Sequence, residues 1–169
     1  MIDERVAQFP QHEELLRAYA DRWLETIPGP VAGVHSLVEQ LAGNGVPLFA
    51  ITNFGADFWA MFRPTAPIFD HFLDIVVSGI EKMMKPGPDI YRLALARFGL
   101  APGEGLFVDD SLANVLAARD NGFAGHHFTD AETLRTELAA LELLPREPDG
   151  RHVVIRPLAY CKEKDNERY

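Results

Sequence analysis

Three short groups of residues in this 169-residue chain are of the types that handle phosphate and a divalent cation. Asp109-Asp110 closes the apolar run Leu106-Phe107-Val108 and leads at once into Ser111-Leu112-Ala113-Asn114. Adjacent carboxylates at a strand end present hard oxygen ligands, which magnesium prefers, and magnesium usually completes its shell with water and a substrate phosphate. Thr52-Asn53 follows the run Val46–Ile51 and offers a hydroxyl and backbone amides, and Lys85-Pro86 lies in the loop after Asp74–Ser78 and offers a fixed ammonium. Each group alone has a plainer reading. Thr-Asn suits a turn, Lys85 suits a solvated surface, and Asp110 or Ser111 suits a helix cap. Three such groups at three successive strand ends are harder to explain by turn chemistry.

The elements that must position them follow from periodicity. Residues 11–26 place Leu15, Leu16, Tyr19, Trp23 and Leu24 on one side of an amphipathic helix that Ile27-Pro28-Gly29-Pro30 ends. A second helix is predicted over 31–43, stopping at Gly43-Asn44-Gly45. A short continuous apolar run predicts a strand at 46–51, and further strands are read at 74–78, 105–109 and around 124–128, with helices at 55–63, 88–98, 111–121 and 130–143 between and after them. Strands separated by helices imply parallel pairing, hence an α/β doubly wound, Rossmann-like sheet whose ligands bind beyond the carboxyl ends of the strands. The three polar groups fall there.

Composition narrows the partners. The chain is 47% hydrophobic and 24% charged, enough for one core, and its net charge of −9 argues against nucleic acid as a partner. One cysteine, Cys161, rules out an internal disulfide framework and fits a cytoplasmic protein; no signal peptide or membrane span is read, so no membrane partner is expected. His126-His127 has no cysteine or acidic partner at metal-ligand spacing and reads as strand-end packing. Trp23, Phe54, Phe58, Trp59 and Phe62 read first as core, and as the wall of a substrate slot second.

Phe49-Ala50-Ile51-Thr52-Asn53-Phe54, Lys85-Pro86-Gly87-Pro88-Asp89-Ile90-Tyr91 and Phe107-Val108-Asp109-Asp110-Ser111-Leu112-Ala113-Asn114 resemble the second, third and fourth motifs of the haloacid dehalogenase-like hydrolase superfamily. The resemblance covers roughly residues 5–144. It implies that Thr52 binds the transferring phosphoryl group and Asn53 lines its pocket. Lys85 would be the catalytic lysine that neutralises nucleophile and phosphate, Asp109 and Asp110 would hold Mg2+, and Asn114 would orient the loop. The acidic pair, where dehalogenating members typically carry Ser and Asn, resembles the phosphatase branch, which hydrolyses small phosphorylated metabolites through an aspartyl phosphate. By the same resemblance residues 1–30 are the remnant of a helical cap, 31–145 the α/β core and 146–169 a C-terminal extension.

The chain departs from that pattern at its start. The superfamily's first motif, a central apolar strand ending in the nucleophilic Asp, is not found upstream of the cap-like helix, and Ile2-Asp3-Glu4 reads as helical. The expected fold is therefore a sheet lacking its usual first strand, and the expected activity is that of a hydrolase domain inactive as written. A noncatalytic phosphate-binding or interaction module is the alternative, and a receiver-like phosphoacceptor domain ranks behind both. Exposed sheet faces would favour a homodimer. The run Arg151-His152-Val153-Val154-Ile155-Arg156 is read either as a strand at 152–156 that pairs with a sheet edge or enters the vacant slot, or as part of a polar tail.

Overall fold

A computed structural model describes residues 2–145. The chain opens with two short helices, α1 (Ile2–Gln8) and α2 (Glu13–Asp21), joined and followed by 3-10 turns at Pro10–His12 and Trp23–Thr26. The single helix expected over 11–26 is thus interrupted. Its hydrogen bonding stops at Arg22, and the Thr26 hydroxyl donates to the Trp23 carbonyl, closing a separate tight turn. After α3 (Val34–Gly43) come β1 (Phe49–Thr52), α4 (Ala56–Phe62), 3-10 turns at Arg63–Thr65 and Pro67–His71, β2 (Asp74–Val77) and the short α5 (Ser78–Glu81). The series ends with α6 (Pro88–Phe98), β3 (Leu106–Asp109), α7 (Leu112–Asp120), β4 (Ala124–His127) and α8 (Ala131–Ala140). No described helix is long and apolar enough to cross a membrane.

Most boundaries move by a few residues from their sequence-based positions, for local reasons. β1 begins at Phe49 and not at Val46, because Pro47 has no N–H to give to a ladder, and it takes in Thr52 as its last residue. α8 begins at Ala131 because Asp130 caps it, its carboxylate accepting from the Thr133 backbone N–H at 2.8 Å. The strand read at 152–156 lies outside the described residues.

Every ladder is parallel, but the four strands form two sheets of two. β1 pairs with β2 in the register Phe49 with Asp74 through Thr52 with Val77. β3 pairs with β4 from Leu106 with Ala124 to Asp109 with His127. β1 and β3 share no ladder. The architecture is α/β, with each half-sheet wound between helices, and among the described residues no strand joins the halves.

Side chains hold the halves together instead. On one face α6 buries Ile90, Tyr91, Ala94 and Leu95 against Val76 of β2 and Phe107 of β3, with Ala118 of α7 and Phe123 completing the cluster and Ile51 of β1 packed on it. On the other face α3 and α8 contribute Leu37, Leu41, Leu134 and Leu138, which with Leu144 cover Val46 and Leu48 ahead of β1, Leu106 of β3, and Phe128. Leu106 and Phe107 face opposite layers, as the two-residue period of a strand requires. A further run of ring contacts ties the N-terminal segment to α4 and the turns after it. Tyr19 meets Phe58, Trp23 meets Phe54 and Phe58, and the series continues through Trp59, Phe62 and Phe69 to Phe72. These aromatics pack on one another but are only half-buried, and none belongs to either buried cluster.

Candidate phosphate and metal site

The site is assembled where three chain segments leave the sheets. Asn53, just past β1, reaches across to the segment that follows β2 and makes two hydrogen bonds with its main chain. Its Nδ2 donates to the Lys85 carbonyl at 2.9 Å, and its Oδ1 accepts from the Lys85 N–H at 2.9 Å. An asparagine can do this because its amide carries both a donor and an acceptor. The exchange fixes the backbone at Lys85, whose peptide with Pro86 is cis. A second brace lies nearby: Gly79 N–H donates to the Phe54 carbonyl at 2.9 Å and the Ser78 hydroxyl to the same oxygen at 3.1 Å. Only glycine fits at 79, since a Cβ there would meet Ala56 N at 2.5 Å and Phe54 O at 2.8 Å.

From that anchored backbone the Lys85 side chain runs to the end of β3, where Nζ donates to Asp109 Oδ2 at 2.7 Å. Both side chains are nearly buried, 10% and 8% exposed. The Lys85 ammonium also lies 5.4 Å from the centre of the Phe107 ring. The other carboxylate oxygen, Asp109 Oδ1, accepts from the Ser111 N–H and from Asn114 Nδ2, each at 2.9 Å. Burial pushes the Asp109 carboxyl up, but hydrogen bonds from Lys85, Asn114 and Ser111 and the lysine's charge together hold it below the usual carboxylate range. Asp109 is therefore an anion over the whole physiological range.

Tyr91 underlies this arrangement, and sequence reading gave it no role. It is wholly buried on α6, and its hydroxyl donates to the Asn114 carbonyl at 2.9 Å, holding the first turn of α7. Burial, aided by the charge of Asp109, pushes its phenol up to about 12, so it remains a donor at any ordinary pH. An aromatic on the buried stripe of a helix looks like plain core, and its hydroxyl's partner is visible only in three dimensions.

Contacts thus join Asn53, Lys85, Asp109 and Asn114 into one network. Thr52, the last residue of β1, sits beside Asn53, and its hydroxyl bonds to none of the described residues. Asp110 is exposed, and its carbonyl lies 3.0 Å from His127 Nε2. His126 Nε2 is buried with no hydrogen-bond partner among the described residues. Among the described residues no group of three or more His, Cys, Asp or Glu side chains is placed to hold a metal ion. Magnesium does not require such a cage, since one or two carboxylates with waters and phosphate oxygens suffice. Asp109 has three of its roughly four lone-pair positions engaged, which leaves one on Oδ2, and Asp110 is open to solvent. Asp109 and Asp110 fit a magnesium ion shared with a phosphate, and fit poorly one held by protein alone.

The chain is similar to several known proteins. The chain is 36% identical over 112 residues to a sesquiterpene phosphatase of Aspergillus oryzae, a match covering 66% of the chain and 57% of that protein. It is 33% identical over 112 residues to the phosphoglycolate phosphatase of Yersinia pseudotuberculosis, covering 66% of the chain and 48% of that protein. It therefore spans about half the length of these curated relatives. Among solved structures, a HAD-like hydrolase of Porphyromonas gingivalis superposes with a TM-score of 0.62 at 23% identity, over 75% of this chain and 64% of that one. A HAD family enzyme of Bacteroides thetaiotaomicron, solved with magnesium and inorganic phosphate, superposes with a TM-score of 0.50 at 23% identity, over 57% of this chain and 53% of that one. The haloacid dehalogenase-like hydrolase profile matches residues 2–122, and the chain belongs to that family.

Proposed function

We propose that this domain binds the phosphate group of a small phosphorylated metabolite at the carboxyl ends of β1 and β3, and that the 169-residue chain holds the phosphate without hydrolysing it. The observation that carries this is the nearly buried Lys85–Asp109 pair, locked to the end of β1 by Asn53. In that reading the Thr52 hydroxyl and the neighbouring amides take phosphate oxygens, Asn53 lines the pocket, and Lys85 exchanges part of its attention from Asp109 to the phosphate. Asp109 and Asp110 hold magnesium, which supplies charge neutralisation for the phosphate when bound. Asn114 keeps Asp109 oriented.

The two curated relatives named above are phosphatases, and the reaction class we infer for the family fold here is metal-dependent hydrolysis of a phosphate monoester. Within the family that hydrolysis runs through a carboxylate that becomes phosphorylated, and no third carboxylate joins Asp109 and Asp110 among the described residues. The cradle, with no such third carboxylate beside it among the described residues, supports a binding or interaction role. A single cysteine and an acidic charge support a cytoplasmic setting.

Calorimetric titration of the full chain with inorganic phosphate in the presence of magnesium tests the proposal. Binding that is lost in Lys85→Ala, with no turnover of p-nitrophenyl phosphate above that of the Asp109→Asn variant, is the expected result. Absence of binding, or turnover abolished by Asp109→Asn, would overturn it.

A further inference from the structure

Charged and apolar side chains have exchanged their usual places in the loop that leads to Lys85. Gly79 at its start is bonded to the Phe54 carbonyl, and Lys85 at its end is held by Asn53, so residues 79–85 are clamped at both ends against the exit of β1. Between the clamps the two charged side chains are engaged by the protein itself. Glu81 accepts from the Arg97 guanidinium, and Lys82 Nζ donates to the Gly79 carbonyl at 2.9 Å. The apolar side chains are the ones left in solvent: Ile80 is 56% exposed, Met83 38% and Met84 63%. Large apolar residues exposed together, with their charged neighbours turned to other partners, mark a surface that meets something apolar.

The residues on either side of Asn53 in the fold add to that surface. Phe54, which follows Asn53 directly, lies 5.5 Å from Trp23 between ring centres, and Trp23 lies 4.6 Å from Phe58. These three rings are half-buried. A buried indole usually finds a partner for its N–H, yet the Trp23 Nε1 has none among the described residues. Its charged neighbour Arg22 is bound to Glu25. Tyr19, edge-on to Phe58, is itself exposed. Apolar surface thus reaches the Thr52-Asn53 corner through two segments, while the corner supplies the polar atoms.

We propose that Trp23, Phe54 and Phe58, together with Ile80, Met83 and Met84, receive the apolar organic group of a phosphate monoester whose phosphate lies at Thr52. The inference rests on the phosphate-binding function proposed above and adds the ligand's class to it: a ring-bearing or hydrocarbon phosphate, not a polyhydroxylated one. Sugar hydroxyls need hydrogen-bond partners when they leave water, and these side chains offer the Trp23 N–H and weak thioether acceptors alone. An apolar group gains from aromatic faces and from methionine, whose unbranched thioether adapts to irregular shapes. Thr52 and Phe54 are two residues apart, about 7 Å of backbone at most, so a group carried one or two bonds from the phosphorus is within reach of the rings.

Calorimetric titration of the full chain in magnesium tests this with methylphosphonate and benzylphosphonate, which share the anionic group, differ in the apolar body and contain no ester bond to hydrolyse. Benzylphosphonate binds about tenfold tighter, with the more negative heat capacity change that apolar burial gives. The ratio of the two affinities is the readout in the variants. Met83→Gln combined with Met84→Gln, both at exposed positions, cuts the ratio below about threefold, and Trp23→Leu does the same. If Trp23→Leu does not fold, the methionine pair still decides. A ratio near one in the parent chain overturns this inference and leaves phosphate binding standing, whereas binding of neither phosphonate overturns both. A ratio unchanged in the variants overturns the placement. So does a parent that light scattering shows to be a dimer and that the methionine substitutions release to monomer, which assigns the surface to a second copy.

Discussion

Lys85→Met keeps most of the lysine stem and removes the ammonium, leaving a carboxylate that is 8% exposed without its countercharge. Breaking a buried pair by removing one partner costs about 3–5 kcal/mol. Asp109 retains hydrogen bonds from Ser111 and Asn114, so the low end, about 3 kcal/mol, is expected. For a domain of this size that lowers the melting temperature by roughly 6–12 °C, and the urea midpoint by about 1–3 M. The loss depends on pH. In the parent protein the folded-state Asp109 carboxyl sits below its unfolded value, so its contribution is complete above about pH 4 and disappears as pH falls through the depressed value. In the variant burial is opposed only by the hydrogen bonds from Asn114 and Ser111, so the depression shrinks and with it the stability the carboxylate contributes above about pH 4. The gap between the two proteins is therefore widest at neutral pH and narrows below about pH 4. Urea unfolding of both proteins at pH 7 and pH 3.5 reads this directly. A loss under about 1 kcal/mol, equal at both pH values, is the behaviour of a solvated surface pair and would refute the reasoning.

Tyr91→Phe deletes the bond to the Asn114 carbonyl and costs about 1 kcal/mol in urea unfolding, and the parent's phenolate absorbance component titrating at about 12 vanishes. Gly79→Ala forces a methyl against three backbone atoms of residues 54–56 and lowers stability by about 1–3 kcal/mol, measured the same way, with weaker phosphate binding as the end of β1 shifts. Asn53→Ala removes both bonds to the Lys85 main chain and costs about 1–3 kcal/mol in stability. Phosphate titration of that variant shows weaker binding, and an unchanged affinity would separate the Asn53 brace from the site.

The layered α/β plan was legible because the first three strands are short, largely apolar runs that stand out from the helices around them, as Asp74–Val77 and Leu106–Asp109 show. What local pattern cannot carry is the partner of each group. Asn53 reads as a turn residue, and its two bonds to Lys85 span 32 positions of sequence. Tyr91 reads as an apolar contact on α6 and proves to be the support of α7. The break at Arg22 was hidden because a 3-10 turn and an α-helix share the same apolar spacing over one turn. The division into two ladders lies in pairing between distant segments, which periodicity does not encode.

The run of aromatic rings has an optical consequence. The chain has two tryptophans, and both belong to that run: Trp23 lies 5.5 Å from Phe54, two residues beyond Thr52, and Trp59 lies 5.6 Å from the same ring. Any shift of the β1 exit on taking up an anion changes the packing around both indoles at once. The intrinsic fluorescence of the unlabelled protein is thus a gauge of the Thr52-Asn53 corner, already wired to it through Phe54.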